Sequence, residues 1–390
     1  MSSDSVSVPA AGAALPCPPR LLTAIIIFAA IAPGILMTAP AVAAQLASQW
    51  SLTPAQIGHL FSTELGAMSL ATLPAWWWIS RVNWRRVATL AAGVFIAGNL
   101  ASAMVSDFHL LLGLRFIASL AGGTLMILCI TCAGGTANPS RVYALWVLGQ
   151  LVLGAVGLLV LPLLFAHFGL MAVYLILAAI MLCCLPLLSS FPSGFHPAQS
   201  TAHTTATPWL RKVFAVLAVL TFYISLSAVW TFIGSIAHAA GLSPVSSGQV
   251  LAAATLFGIV GAGGAAFISA RRGGNGLIWL SYGLLLAGIA LLFHTPQLLR
   301  FALAAVLFKF TWTFVLPFIL ARVAGLDNNG KLMNNINLVI GGGMAIGPTL
   351  AGYWIESSGG YDRLLVGALG SALLSLLLIS LASPRVQRAI

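Results

Sequence analysis

The chain has 390 residues, is 60% hydrophobic and only 6% charged, and carries a formal net charge of +11. Soluble domains are about a quarter charged, so too few polar side chains remain to cover a water-exposed surface, and the chain reads as a membrane protein. Its 17 Lys+Arg are spread along the sequence, which excludes a nucleic-acid binder, whose cations gather on one face.

A transmembrane helix needs about 20 apolar residues. Apolar runs between polar or Pro/Gly breaks predict an all-α polytopic protein with twelve spans, over 21–44, 55–79, 87–105, 109–134, 142–165, 169–190, 210–237, 248–269, 276–293, 298–323, 333–356 and 363–383. The first run follows Arg20 and contains an "AVA", as a signal peptide would. It is nevertheless long, its preceding tail is nearly uncharged, and cleavage would leave an odd span count, so it is read as span 1. The expected organisation is a cytoplasmic tail (1–20), a six-helix bundle (21–190), a Ser/Thr/Pro-rich linker (191–208), a second six-helix bundle (209–384) and a short tail (385–390).

Span 2 carries Glu64, the only acidic residue well inside a predicted span. At 1.5 Å rise it lies about 12 Å from the outer edge. A carboxyl in a low-dielectric site favours its neutral form and can carry a proton; the alternative is a permanent partner for a cation or a packing hydrogen bond. The span ends in "WWWISRVNWRR", with Trp76, Trp77, Trp78 and Trp84 beside Arg81, Arg85 and Arg86. These tryptophans fit an aromatic belt, and the arginines fit a loop held against anionic headgroups. Span 4 contains Arg115, with Ser119, Gly122 and Gly123 on its side, and is expected to face a cavity. Cys129 and Cys132 form a C-x-x-C inside that apolar run, and Cys183 and Cys184 sit in span 6; with no polar partners, they read as buried thiols rather than a metal or redox site.

Span 7 offers a stripe of Tyr223, Ser227, Trp230, Thr231 and Gly234, whose rings could stack on a solute while hydroxyls orient it. Spans 8 and 11 show small residues at four-residue steps: Ala254, Gly258, Ala262 and Ala266, then Gly343, Gly347 and Ala351. Such ridges let helices approach closely. Span 10 places Lys309 about 18 Å from the outer edge, near the midplane, with Thr313 on its face and Trp312 beside it. An ionisable group there costs about 2.5–3.5 kcal/mol even on lenient insertion scales. It therefore reads as a counter-charge for an anionic substrate or as a salt-bridge partner of Glu64. Arg300, near the outer end of the same span, can snorkel.

The loop cations sort by side. Arg20, Arg81, Arg85, Arg86, Arg141, Arg211, Lys212, Arg271, Arg272, Arg322, Lys331, Arg385 and Arg388 fall on one face and Arg363 alone on the other. The positive-inside rule then makes both termini cytoplasmic. The halves also echo one another: "FHLLLGLRF" from Phe108 matches "FHTPQLLRF" from Phe293, and "ISRVNWRR" from Ile79 faces "ISARR" from Ile268. Paired six-span repeats are a transporter architecture.

On this layout, on "SRVNWRR" after span 2 and on "RFIASLAGG" in span 4, the chain resembles the major facilitator superfamily over nearly its whole length. The resemblance implies two pseudo-symmetric bundles rocking about a central site. Spans 1, 4, 7 and 10 would line the cavity, and spans 2, 5, 8 and 11 would form the interface. It also implies a cytoplasmic gate at Ser80, Arg81, Arg85, Arg86, Arg271 and Arg272. Ser80 stands where the family usually has an acid, which leaves Arg81 without a local carboxylate and predicts a looser or differently paired gate. Asn83 stands where the family has Gly, and Trp84 where it often has a basic residue.

No phosphate-binding or hydrolase motif is present, so the expected function is secondary transport, not enzymatic catalysis. The expected protein moves a small acidic or aromatic organic solute by alternating access, coupled to protons through Glu64. Lys309, Arg115, Tyr223, Ser227, Trp230, Thr231, Trp312 and Thr313 would form its cavity. Alternatives are efflux of amphipathic drugs, an uncoupled uniporter or anion exchanger, and a non-transporting receptor. No cofactor or metal is expected. The partners are the solute, protons and lipid; the protein is expected to be a monomer in a bacterial-type inner membrane.

Overall fold

A computed structural model describes residues 15–194, 208–269, 275–326 and 331–382. These residues are almost wholly helical, as a bilayer without water to satisfy backbone groups demands. Among them, the extended pairing is an isolated bridge between Leu15 and Thr136.

Prolines divide the first two spans. Span 1 is not the continuous helix expected over 21–44. It is three pieces: α1 (Pro19–Ile31), α2 (Gly34–Met37) and α3 (Ala39–Trp50). Pro33 and Pro40 lack an N–H and press their rings toward the carbonyl four residues back, so no regular ladder passes through this region. Span 2 is split in the same way into α4 (Pro54–Leu70) and α5 (Thr72–Trp78), with Pro74 four residues after Leu70. The first half continues with α6 (Trp84–Met104), α7 (Phe108–Gly135), α8 (Pro139–Phe168) and α9 (Met171–Cys184), which ends in a 3₁₀ turn, Leu185–Ser190, around Pro186. The second half comprises α10 (Trp209–Ala239), α11 (Pro244–Ser269), α12 (Asn275–Ala290), α13 (Leu298–Ala324), α14 (Lys331–Ser358) and α15 (Asp362–Ala382). Nine of the described helical segments are long and apolar enough to cross a bilayer; Pro19–Ile31 and Gly276–Ala290 are shorter apolar helices.

The described residues fall into two compact units. The first draws on Met1–Gly34, Ala67–Gln150 and Tyr174–Thr201, the second on Ile35–Gly66, Leu151–Val173 and Ala202–Ile390. They do not follow the halves 21–190 and 209–384, because parts of spans 1, 2 and 5 pack with the second-half helices.

In the first unit α6 and α7 press together where a Cβ on Gly98 would stand 2.9 Å from Ala118 Cβ. A Cβ on Gly123 would strike the Met68 carbonyl, so this glycine lets α7 reach the chain just before the Pro74 break. In the second unit α10 is the central helix and packs on α3, α13, α14 and α15. There α4 and α14 form an antiparallel seam. Ala55 N–H donates to Glu356 Oε2 (3.2 Å), His59 Nε2 meets Tyr353 Oη (2.9 Å), and the Thr349 N–H (3.1 Å) and hydroxyl (2.7 Å) both reach Ser62 Oγ. Between these pairs a Cβ on Gly58 would collide with the Pro348 carbonyl, and one on Gly352 with the Pro54 carbonyl.

The small ridge of span 11 does not face this seam. Gly343 and Gly347 pack on the Leu220–Ala228 stretch of α10, and Gly258 of span 8 lies between Thr313 and Leu151. Periodicity correctly puts such residues on one face; it does not say which neighbour that face meets.

Candidate functional site

The buried Lys309 ammonium is the centre of the site. Lys309 and Trp312 are three apart on α13 and so share a face. The Lys309 Nζ stands 4.3 Å from the Trp312 ring centroid and 3.8 Å from that of Trp230 on α10. The two indoles are 6.1 Å apart and nearly perpendicular, at 83°. Lys309 is 2% exposed and Trp230 fully buried. Each ring presents a negative quadrupole to the charge, and the contact with both makes an aromatic box around it. Tyr223, buried on α10, lies within side-chain reach of Trp312.

The break in span 1 ties this box to the rest of the second unit. The Leu36 carbonyl would ordinarily accept from the N–H four residues on, but that residue is Pro40. The Trp230 indole N–H donates to Leu36 O instead, at 2.8 Å. The same logic holds at the other end of the break, in the first unit: Pro33 cannot serve the Ala29 carbonyl, and Gln150 Nε2 donates to it at 2.8 Å. Broken helices at membrane depth commonly border transporter binding sites. One turn along from Trp230 and Leu36, Gly234 abuts the Pro40 carbonyl. Beyond that contact opens a cavity of about 320 Å³, lined among others by Gln45, Leu158, Phe165 and His238.

Of the residues expected to line a cavity, Lys309, Trp230, Trp312 and Tyr223 come together. Thr231 is buried on the same helix. Ser227 turns toward α14: its hydroxyl donates within its helix to Tyr223 O (2.8 Å) and lies 3.3 Å from Gly343 O. Thr313 donates to Gly258 O on α11 at 2.6 Å. Both hydroxyls thus serve helix packing. Arg115 belongs to the first unit and is 1% exposed. One guanidinium nitrogen donates to Asn99 Oδ1 of α6 at 2.9 Å, and its carbon lies 4.8 Å from the Tyr174 ring of α9. Its expected cavity position is occupied by these contacts inside the bundle. Glu64 is 5% exposed in α4, two residues from Ser62 and from Gly66 and so on another side of that helix from the seam.

The arginine-rich loop is anchored by hydrogen bonds to its own turn and to the 191–193 stretch. Asn83 caps α6, its side chain accepting from the N–H groups of Arg85 and Arg86. Trp84 is fully buried; its indole donates to Ile79 O and its own N–H to Ser193 O. Arg85 Nε donates to Phe191 O. The expected aromatic belt is therefore only partly formed: Trp76 and Trp77 are 60% and 59% exposed, whereas Trp78 and Trp84 are buried. The partner of Arg81 is a ring, not an acid, with its guanidinium 5.7 Å from the Trp77 centroid. Ser80 and Arg86 are exposed. Arg271 and Arg272 lie outside the described residues. The five cysteines are free.

Asn99, Gln150 and the Leu36 carbonyl were not named from the sequence. The carbonyl had a usable signal, because a proline four residues downstream always frees an acceptor.

These helices, nine of the described segments being long and apolar enough to cross a bilayer and α13 carrying a buried lysine, define a polytopic membrane protein. The sequence profile of the Major Facilitator Superfamily matches residues 22–324, and the chain belongs to that superfamily. Solved structures agree in fold. A single-substitution mutant of the nucleoside transporter NupG is 13% identical with a TM-score of 0.70, covering 93% of this chain and 98% of that one. A POT family transporter in complex with 5-aminolevulinic acid is 12% identical with a TM-score of 0.71, covering 93% and 96%. No curated protein matches the sequence. The protein is a membrane transporter, not an enzyme.

Proposed function

We propose that this transporter moves a small organic anion by alternating access of its two six-span halves, with Lys309 as the counter-charge and Glu64 as the proton-carrying group. The observation that carries the reading is the Lys309 ammonium, buried with two indole faces as its contacts. Burying a charge costs several kcal/mol, and a desolvated cation–π contact returns about 2 kcal/mol. The rings thus offset part of the cost, and a carboxylate arriving beside the ammonium gains what remains. Glu64 supports proton coupling as a buried carboxyl in a membrane helix. The α4–α14 seam, made of a few hydrogen bonds around closely packed glycines, supports opening and reclosing.

The test is uptake of labelled monocarboxylates into proteoliposomes with an imposed pH gradient. The wild type accumulates the anion above equilibrium, and Glu64→Gln exchanges it without accumulation. Gradient-driven accumulation retained by Glu64→Gln would overturn the proton role.

A further inference from the structure

The aromatic box in its present form is filled by the protein's own side chain. The Lys309 ammonium sits in the corner between the Trp230 and Trp312 rings, 3.8 and 4.3 Å from their centroids. We infer that Lys309 is an internal occupant of this box, exchanged during binding for the ring of the substrate, and that the substrate is therefore an aromatic carboxylate. This assignment rests on the anion-transport reading and names its substrate class.

The argument is one of exchange. A carboxylate beside α13 draws the ammonium out of the box, because an ion pair with a hydrogen bond outweighs a ring face in a dry site. Lysine has four rotatable carbons and can make the move; the indoles cannot follow. Trp230 is fixed through its bond to Leu36 O, and Trp312 is buried with its ring packed edge-on against Phe308, centroids 6.1 Å apart. The two rings are left with exposed faces at a fixed mutual angle of 83°. An alicyclic acid fills that space by volume alone, whereas a benzenoid ring adds one offset and one edge contact with the indoles. The same site disfavours an organic cation, which would compete with the ammonium for the rings and be repelled by it.

The test uses purified full-length protein and ligand-induced shifts in thermal stability, read as dissociation constants. The probes are benzoate, cyclohexanecarboxylate and tetraethylammonium. Benzoate is expected to bind about tenfold more tightly than cyclohexanecarboxylate, the sum of two ring contacts. Trp312→Leu should bring the ratio close to one, and Trp312→Phe, which keeps a ring, should preserve most of it. Lys309→Gln should weaken both acids. If both acids bind equally to the wild type and both are weakened by Lys309→Gln, the ring assignment is overturned while the anion reading stands. If neither acid binds, or if tetraethylammonium binds and tightens in Lys309→Met, both are overturned.

Discussion

Two prolines account for much of the polar structure around span 1. Each removes one donor, and each orphaned carbonyl is met by a side chain from another helix: Ala29 O by Gln150, and Leu36 O by Trp230. Leaving such a buried acceptor unpaired costs about 1–3 kcal/mol. Trp230→Phe should therefore lower the melting temperature of the purified protein. Adding Pro40→Ala in that background should recover part of the loss, since a backbone N–H returns at position 40. Equal loss in the single and double variants would show that the indole acts by packing alone. At the loop, Asn83→Ala removes the α6 cap and should cost about 1 kcal/mol, with Asn83→Asp close to wild type in the same melting assay. At this scale helical spacing singled out Lys309 and Trp312 on one span and Tyr223 and Trp230 on another, but not that the lysine of one meets the indole of the other. It was poor on hydroxyls. Ser227 and Thr313 share a stripe with the box residues, but a few tens of degrees of helix rotation decide whether a hydroxyl meets a solute or a neighbouring carbonyl.

Helix by helix, the spans were readable because apolar length is a strong signal, and the interruptions were readable in principle from Pro33, Pro40, Pro74 and Pro186. Contact partners were not. The Gly343/Gly347 ridge packs on α10, whereas the seam with α4 uses Gly352 and the Pro348 carbonyl. Both faces of span 11 carry small residues, so composition could not separate them. The seam makes a sharp contrast available. Gly58→Ala and Gly352→Ala place a methyl group against backbone oxygens that cannot step aside, and should part α4 from α14, raising the labelling rate of a cysteine introduced at Ser62. Gly283→Ala on the exposed side of α12 meets nothing within 4 Å and should be neutral or stabilising by about 0.5–1 kcal/mol, as for any helical Gly→Ala change. Labelling rates alike in all three variants would mean that the glycines are not what holds the seam.

For the whole molecule, hydropathy anticipated the succession of apolar helices, yet the compact units cut across the two sequence halves. Parts of spans 1, 2 and 5 pack with the second half, a property of one conformation that no single-sequence pattern encodes. If that packing must open during transport, a Ser62→Cys/Thr349→Cys pair should block flux when oxidised and release it on reduction, the native hydroxyls being 2.7 Å apart. The central claim, that the boxed lysine is the anion site of this transporter, is tested most directly by carboxylate exchange across proteoliposomes without any pH gradient. Such exchange is independent of proton coupling. The account predicts that Lys309→Gln lowers the exchange rate by about tenfold or more, as loss of a charge-assisted hydrogen bond worth roughly 1.5–3 kcal/mol requires, while Arg115→Gln in folded protein spares it. Exchange by Lys309→Gln at the wild-type rate would contradict it.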